Sequence, residues 1–141
     1  MRRPFQRSGI HYIEPMSTIA AIAVCALLAA LAVFQFALIL GAPIGHFAWG
    51  GQHRVLPTRL RVGSAVSIIL YALFAIILLE RAGLVTVFGS DGFVQVASWV
   101  LFGYFTLGIL MNGISRSKPE RNTMVPVTVV LAVLTLIVAL G

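Results

Sequence analysis

Long apolar runs alternate with short polar breaks along the chain, and this pattern predicts four helices. The runs cover about 17–40, 58–81, 92–112 and 118–140. A helix of roughly 20 apolar residues crosses about 30 Å of hydrocarbon at about 1.5 Å per residue. The pattern therefore predicts an all-α fold, a four-transmembrane-helix antiparallel bundle built from two helical hairpins.

The ends of these runs carry local signals for the start and end of a helix. Gly83 follows the second run and can take the left-handed conformation that ends many helices. Ser90 or Asp91 can accept the first free amide hydrogens of the third helix. Ser117 and Glu120 have the spacing of a capping box at the start of the fourth.

Composition indicates that the whole chain belongs in a membrane. Of 141 residues, 60% are hydrophobic and 10% are charged, and the mean hydropathy is +1.01. Soluble domains contain about 25% charged residues. The first apolar run is longer than the roughly 7 to 15 residues of a signal-peptide core, so we expect a retained helix. A single integral domain over 1–141 is expected, in the inner or plasma membrane of the cell.

Six of the ten basic side chains fall at one end of the predicted bundle. We call this end the hairpin face: it comprises loops 41–57 and 113–121 and the helix ends that adjoin them. Its six cations are Arg54, Arg59, Arg61, Arg116, Lys118 and Arg121, and the opposite end has Arg2, Arg3, Arg7 and Arg81. Because cytoplasmic loops carry an excess of cations, we predict that both hairpin loops are cytoplasmic.

The charge balance of the hairpin face favours an anionic ligand. Glu120 is the one acidic residue in loops 41–57 and 113–121. Arginine forks suit phosphates, and a capped helix N-terminus adds free amide hydrogens. The sequence therefore predicts binding of membrane lipids through an anionic headgroup, or binding of a partner protein. Nucleic acid is not expected, because interfacial arginines account for the positive charge of a membrane protein.

The first hairpin loop carries unusual residues for so apolar a chain. It reads "GAPIGHFAWGGQHRVLPTRLR" over Gly41–Arg61 and includes His46, Trp49 and His53. The two histidines lack the spacing or the neighbouring cysteines and carboxylates of a metal site, and no nucleophile is paired with them. We therefore predict no metal, no cofactor and no catalytic residue. Trp49 is interpreted either as an interfacial anchor or as the centre of a turn that closes over the bundle.

Gln35 is the one strongly polar residue well inside the first helix. A buried amide without partners costs a few kcal/mol, so we expect it to face the bundle and to hydrogen-bond with Ser64, Ser67 or Tyr104. It can serve as a polar contact between helices. Alternatively, it forms the floor of a small polar cavity with Asn112 near the mouth.

Two classes of function stay open at this point. The sequence favours a non-enzymatic membrane protein whose hairpin face binds a headgroup or a partner, and the alternative is a membrane-embedded enzyme or a small-solute carrier for a lipid-like or small anionic substrate. A 15.2 kDa chain has little interior volume, so we expect a homo-oligomer or a larger membrane complex. The candidate ligand-binding residues are Gln35, His46, Trp49, Gln52, His53, Arg54, Arg59, Arg61, Asn112, Arg116 and Arg121.

Two motifs together resemble a known group of proteins. "GAPIGHFAWGGQHRVLPTRLR" in the first hairpin and "NGISRSKPER" in the second are similar to a family of small, uncharacterised four-helix bacterial integral membrane proteins. The resemblance extends over Ala37–Leu140. It implies four helices and a shared motif on the hairpin face, and it implies no activity, ligand or catalytic residue.

Overall fold

The structure, a computed structural model, describes residues 13–141 and is all-helical over that range. Its helices are α1 (Ile13–Ile39), α2 (Thr58–Arg81), α3 (Asp91–Gly113) and α4 (Lys118–Leu140). All four are long and apolar enough to cross a membrane. The predicted fold class is therefore confirmed, and the chain is a small multi-pass membrane protein. The basic segment used for the sidedness prediction, with Arg2, Arg3 and Arg7, lies outside the described residues.

The four helices form a ring in chain order. α1 packs along α2, α3 packs along α4, and a contact between α1 and α4 joins the two hairpins. α2 and α3 complete the ring with a looser contact. The hairpin loops between α1 and α2 and between α3 and α4 consequently lie at the same end, which is the hairpin face.

Local signals explain where most helices begin and end. The Ser90 hydroxyl accepts the Phe93 amide at 3.3 Å, and the Ser117 hydroxyl accepts the Glu120 amide at 3.4 Å. Gly83 has a φ of +76° just beyond α2. The predicted bounds of α2 and α4 agree with the structure, α3 is one residue longer at each end, and α1 begins earlier, at Ile13.

Small and medium apolar side chains form the contact between helices. On α1 the buried face is Ala20, Ala21, Val24 and Leu28. Larger side chains of the other helices, such as Phe74, complete this core. Apolar residues also cover the outer surfaces of the helices, which is the arrangement of a bundle that lipid surrounds.

The end of the bundle opposite the hairpin face is organised by two charged side chains of α2. The Glu80 carboxylate accepts the amides of Val87 and Phe88 at 2.9 Å and that of Gly89 at 2.7 Å. The Arg81 guanidinium donates to the Ala139 carbonyl at 3.0 Å near the end of α4. The connection between α2 and α3 is thus held mainly by Glu80, which lies in the last turn of α2.

Candidate functional site

Loop 41–57 is a folded structure with two short 3-10 turns, Gly45–Phe47 and Trp49–Gly51. The Gly45 amide donates to the Arg54 carbonyl at 2.9 Å and closes the loop on itself. A Cβ atom at Gly45 would lie 2.0 Å from the His53 carbonyl oxygen. Glycine at this position is therefore what lets the two sides of the loop approach.

The same loop contacts the start of α4 and so joins the two hairpins. The Ser117 hydroxyl donates to the main-chain carbonyl of His46. Gly51 lies so close to Ser117 that an added Cβ atom would be 2.4 Å from the serine Cβ. His46 takes part through its backbone, while its ring packs on Phe47 with the ring centroids 4.2 Å apart.

Trp49 attaches the loop to α2. Its indole N–H donates to the Ser64 hydroxyl at 3.2 Å, and its ring covers Gly63, where a Cβ atom would lie 2.7 Å from a ring carbon. The residue has a φ of +53°, a conformation that L-residues other than glycine seldom adopt. Of the two interpretations of Trp49, the turn that closes over the bundle describes these contacts, although 41% of the residue stays exposed.

Beneath the loop, a cavity of about 420 Å³ lies between the four helices. Its walls combine aromatic and aliphatic side chains with a few polar groups. The lining includes Leu31, Phe34, Gln35, Phe47, Trp49, Tyr71, Tyr104, Phe105, Leu107, Met111, Asn112, Glu120, Met124 and Thr128.

Gln35 and Asn112 both line this cavity, whose walls are mainly apolar, and Gln35 also forms a polar contact between α1 and α2, so each interpretation of Gln35 describes part of its surroundings. The Gln35 amide nitrogen donates to the Tyr71 hydroxyl at 3.5 Å, so its partner is neither Ser64, Ser67 nor Tyr104. The Gln35 carbonyl oxygen is buried and has no hydrogen-bond partner among the described residues. The Asn112 amide donates to the Thr128 hydroxyl at 3.0 Å. Gln35 thus lies at the cavity wall with one buried hydrogen-bond acceptor that has no partner among the described residues.

Glu120 also lines the cavity, and it was not among the predicted site residues. Only 7% of it is exposed, and its carboxylate accepts a hydrogen bond from the Ser115 hydroxyl. The capping-box pattern predicts instead that it bonds the Ser117 amide, but the Ser115 hydroxyl accepts that amide at 3.2 Å. The sequence signal for this position was an acidic residue in the first turn of a helix, preceded by two serines, Ser115 and Ser117.

The six cations of the hairpin face divide into two kinds. The Arg61 guanidinium donates to the Leu56 carbonyl at 2.8 Å and to the Ile39 carbonyl at 3.4 Å, where it caps the end of α1. Arg121 donates to the Ser115 carbonyl at 3.1 Å. These two hold loops in place. The exposed cations are Arg54, Arg59, Arg116 and Lys118, and the predicted site residues Gln52 and His53 are exposed beside them in the sequence.

The histidines are not brought into a reactive arrangement. Within residues 13–141, no hydrogen bond or ion pair joins the ring of His46 or His53 to Glu120 or Arg121. The same range contains no group of three or more His, Cys, Asp or Glu side chains placed to hold a metal ion. The described chain therefore offers no assembled acid and base pair at this loop.

The site has an outer and an inner part. The outer part is the set of exposed cations around loop 41–57, and the inner part is the cavity with Gln35 and Glu120. Comparison with known proteins gives no relative from which to infer a role: no family model, no curated protein and no solved structure matches the chain.

Proposed function

We propose that the protein binds the headgroups of anionic phospholipids on its hairpin face and has no enzymatic role there. The observation that carries the proposal is a separation of charge. Four cations of this face are exposed, while its one acid, Glu120, is buried. A phosphate that approaches from the membrane surface therefore meets guanidinium and ammonium groups without meeting a carboxylate.

The loop fold supports this proposal because it orders the backbone at two of the four exposed cations, Arg54 and Arg116. Arg54 follows His53, whose carbonyl packs against Gly45, and its own carbonyl accepts the Gly45 amide. Arg116 lies between Ser115 and Ser117, both of which make hydrogen bonds. Two arginines on ordered backbone lose less conformational freedom on binding than arginines on a flexible linker.

We propose further that the hairpin face lies at the cytoplasmic surface of the cell membrane. The cytoplasmic leaflet is rich in anionic lipid, and each basic residue near it contributes about 1 kcal/mol of attraction. Gln52 is exposed in the loop. In a variant that combines Cys25→Ala and Gln52→Cys, a membrane-impermeant thiol reagent should label inside-out vesicles and leave intact cells unlabelled. The reverse pattern would contradict this orientation.

The headgroup proposal is tested by the lipids that stay bound after gentle purification. Native mass spectrometry of the wild type should show enrichment of anionic over zwitterionic phospholipid relative to the bulk membrane. The Arg54→Gln, Arg116→Gln double variant should lose most of this enrichment, because both side chains lose their charge and their fork geometry.

The matched control is Arg54→Lys with Arg116→Lys, which keeps the charge. It should retain part of the enrichment and show the same decrease with added salt as the wild type. The proposal fails if the wild type shows no enrichment, or if the glutamine variant retains it in full.

Self-association and the resemblance to small four-helix bacterial membrane proteins also remain proposals. The carrier alternative gains support from the cavity, whereas the enzyme alternative gains none from the position of the histidines. The ligand that the cavity would take is a separate question from the headgroup, because the two parts of the site use different residues.

A further inference from the structure

We propose that the cavity beneath loop 41–57 binds an apolar molecule that carries a protonated amino group. This inference goes beyond headgroup binding, and it uses the inner part of the site instead of the exposed cations. It also changes the expected ligand class, since the sequence favoured anionic substrates throughout the hairpin face.

The polar groups of the cavity call for a hydrogen-bond donor. The Gln35 carbonyl oxygen is unpartnered among the described residues, and Gln35 is only 8% exposed. The Glu120 carboxylate has one hydroxyl partner and has lone pairs left to accept more. A buried acceptor without a donor costs about 1 to 3 kcal/mol. A ligand that donates hydrogen bonds can use the free lone pairs of Glu120, and it removes the cost at Gln35 once that side chain turns its carbonyl oxygen toward the cavity.

The remaining walls suit a cation attached to an apolar body. Six aromatic rings line the cavity, and they belong to Phe34, Phe47, Trp49, Tyr71, Tyr104 and Phe105. The face of an aromatic ring attracts an ammonium group within about 6 Å of its centre. An anion would meet the Glu120 carboxylate and the electron-rich ring faces, and both would repel it.

The position of the cavity mouth indicates that the ligand comes from the bilayer. Three lining residues are also exposed on α3: Tyr104 at 49%, Leu107 at 57% and Met111 at 60%. At about 1.5 Å per residue they lie roughly 3 to 14 Å from the hairpin-face end of α3. The mouth therefore faces the hydrocarbon of one leaflet, and the volume of about 420 Å³ is within the usual range of roughly 300 to 1,000 Å³ for small-molecule pockets.

Three probes with one carbon skeleton can test the charge preference. These are 4-phenylbutylamine, 4-phenylbutanol and 4-phenylbutyrate, titrated into the protein in nanodiscs of zwitterionic lipid, with empty nanodiscs to correct for partitioning. The chain has two tryptophans, so Trp99→Phe leaves Trp49 at the cavity as the only indole. Its fluorescence should change saturably with the amine, and the affinity order should be amine, then alcohol, then carboxylate.

Two variants separate the contributions of the polar groups. Glu120→Gln keeps the shape of the side chain and should weaken amine binding about tenfold or more, with little effect on the alcohol. Gln35→Leu should weaken the amine and the alcohol by similar factors. Asp91→Asn, which removes an exposed acid at the opposite end of the bundle, should change nothing.

Several outcomes would overturn the proposal. They are the absence of saturable amine binding, equal affinity for the amine and the carboxylate, and an amine preference that survives Glu120→Gln. Equal binding of the amine and the alcohol would mean that the cavity holds only an apolar chain. The Arg54→Gln, Arg116→Gln variant should bind the amine normally, so a failure of headgroup binding and a failure of this proposal give different results.

Discussion

The two ends of the bundle are organised in different ways. At the end opposite the hairpin face, the Glu80 carboxylate holds amides only seven to nine residues further along the chain. At the hairpin face, Ser117 donates to the backbone of His46, 71 residues away. The connection at one end is therefore held mainly by local hydrogen bonds, with Arg81 to Ala139 as a contact between hairpins beside it, whereas the loop at the other end is held against the second hairpin. The candidate site lies at the end that depends on distant contacts.

The largest test of this comparison replaces the glycine that closes loop 41–57. Gly45→Ala would place a methyl group 2.0 Å from the His53 carbonyl oxygen, which is main chain and cannot rotate away. We expect a loss of about 3 kcal/mol in the free energy of unfolding. Unfolding in mixed detergent micelles measures this loss.

The matched control for Gly45 lies at the opposite end. Gly92→Ala adds a Cβ atom with nothing within 4 Å of it, so it should change the free energy of unfolding by less than about 0.5 kcal/mol. Equal effects of the two substitutions would show that loop 41–57 is not held as tightly as its contacts indicate.

A smaller effect is expected from the two serines that cap helices. Ser90→Ala removes the N-cap of α3 and should cost about 1 kcal/mol. Ser117→Ala removes the N-cap of α4 together with the hydrogen bond to the His46 carbonyl, and should cost about 2 kcal/mol. Comparison of the two in the same unfolding assay isolates the contact between hairpins, and equal losses would argue against it.

The smallest effect on the whole protein is expected at Glu80. Glu80→Ala removes the acceptor for the amides of Val87, Phe88 and Gly89, so hydrogen exchange at these amides should become faster. Exchange in loop 41–57 should stay the same, because the two ends are organised independently. A change in both places would mean that the ends are coupled through the helices.

The sequence predicts those features of the fold that depend on neighbouring residues. Ser90, Ser117 and Gly83 act where their spacing predicts, because caps and left-handed ends are local interactions. α1 begins at Ile13, before the apolar run that starts at about 17, because a helix can extend beyond its apolar part and Pro15 is tolerated in a first helical turn, where its missing amide hydrogen needs no partner. Local chemistry was therefore sufficient for the helices and for most of their ends.

The contents of the site were predicted only in part. Gln35 and Asn112 line one cavity as expected, since a polar side chain in a membrane helix must face the bundle. The sequence predicts Arg61 as a ligand-binding cation and gives no sign that its guanidinium also caps the end of α1. Glu120 was interpreted as part of a capping box, but it lies in the cavity wall. The directions of the Arg61 and Glu120 side chains depend on how the two hairpins pack together. The spacing of residues in the sequence does not indicate this packing.

The lateral mouth on α3 determines how occupancy of the cavity should be measured. A molecule that reaches Tyr104 and Met111 through hydrocarbon is concentrated in the leaflet by its partition coefficient before it meets the protein. For a fixed total amount of compound, the fraction of protein occupied therefore follows the mole fraction of the compound in the lipid, and the total concentration in the sample does not describe it. A compound with weak affinity on the mole-fraction scale can still fill the cavity, and dilution with extra lipid should empty it.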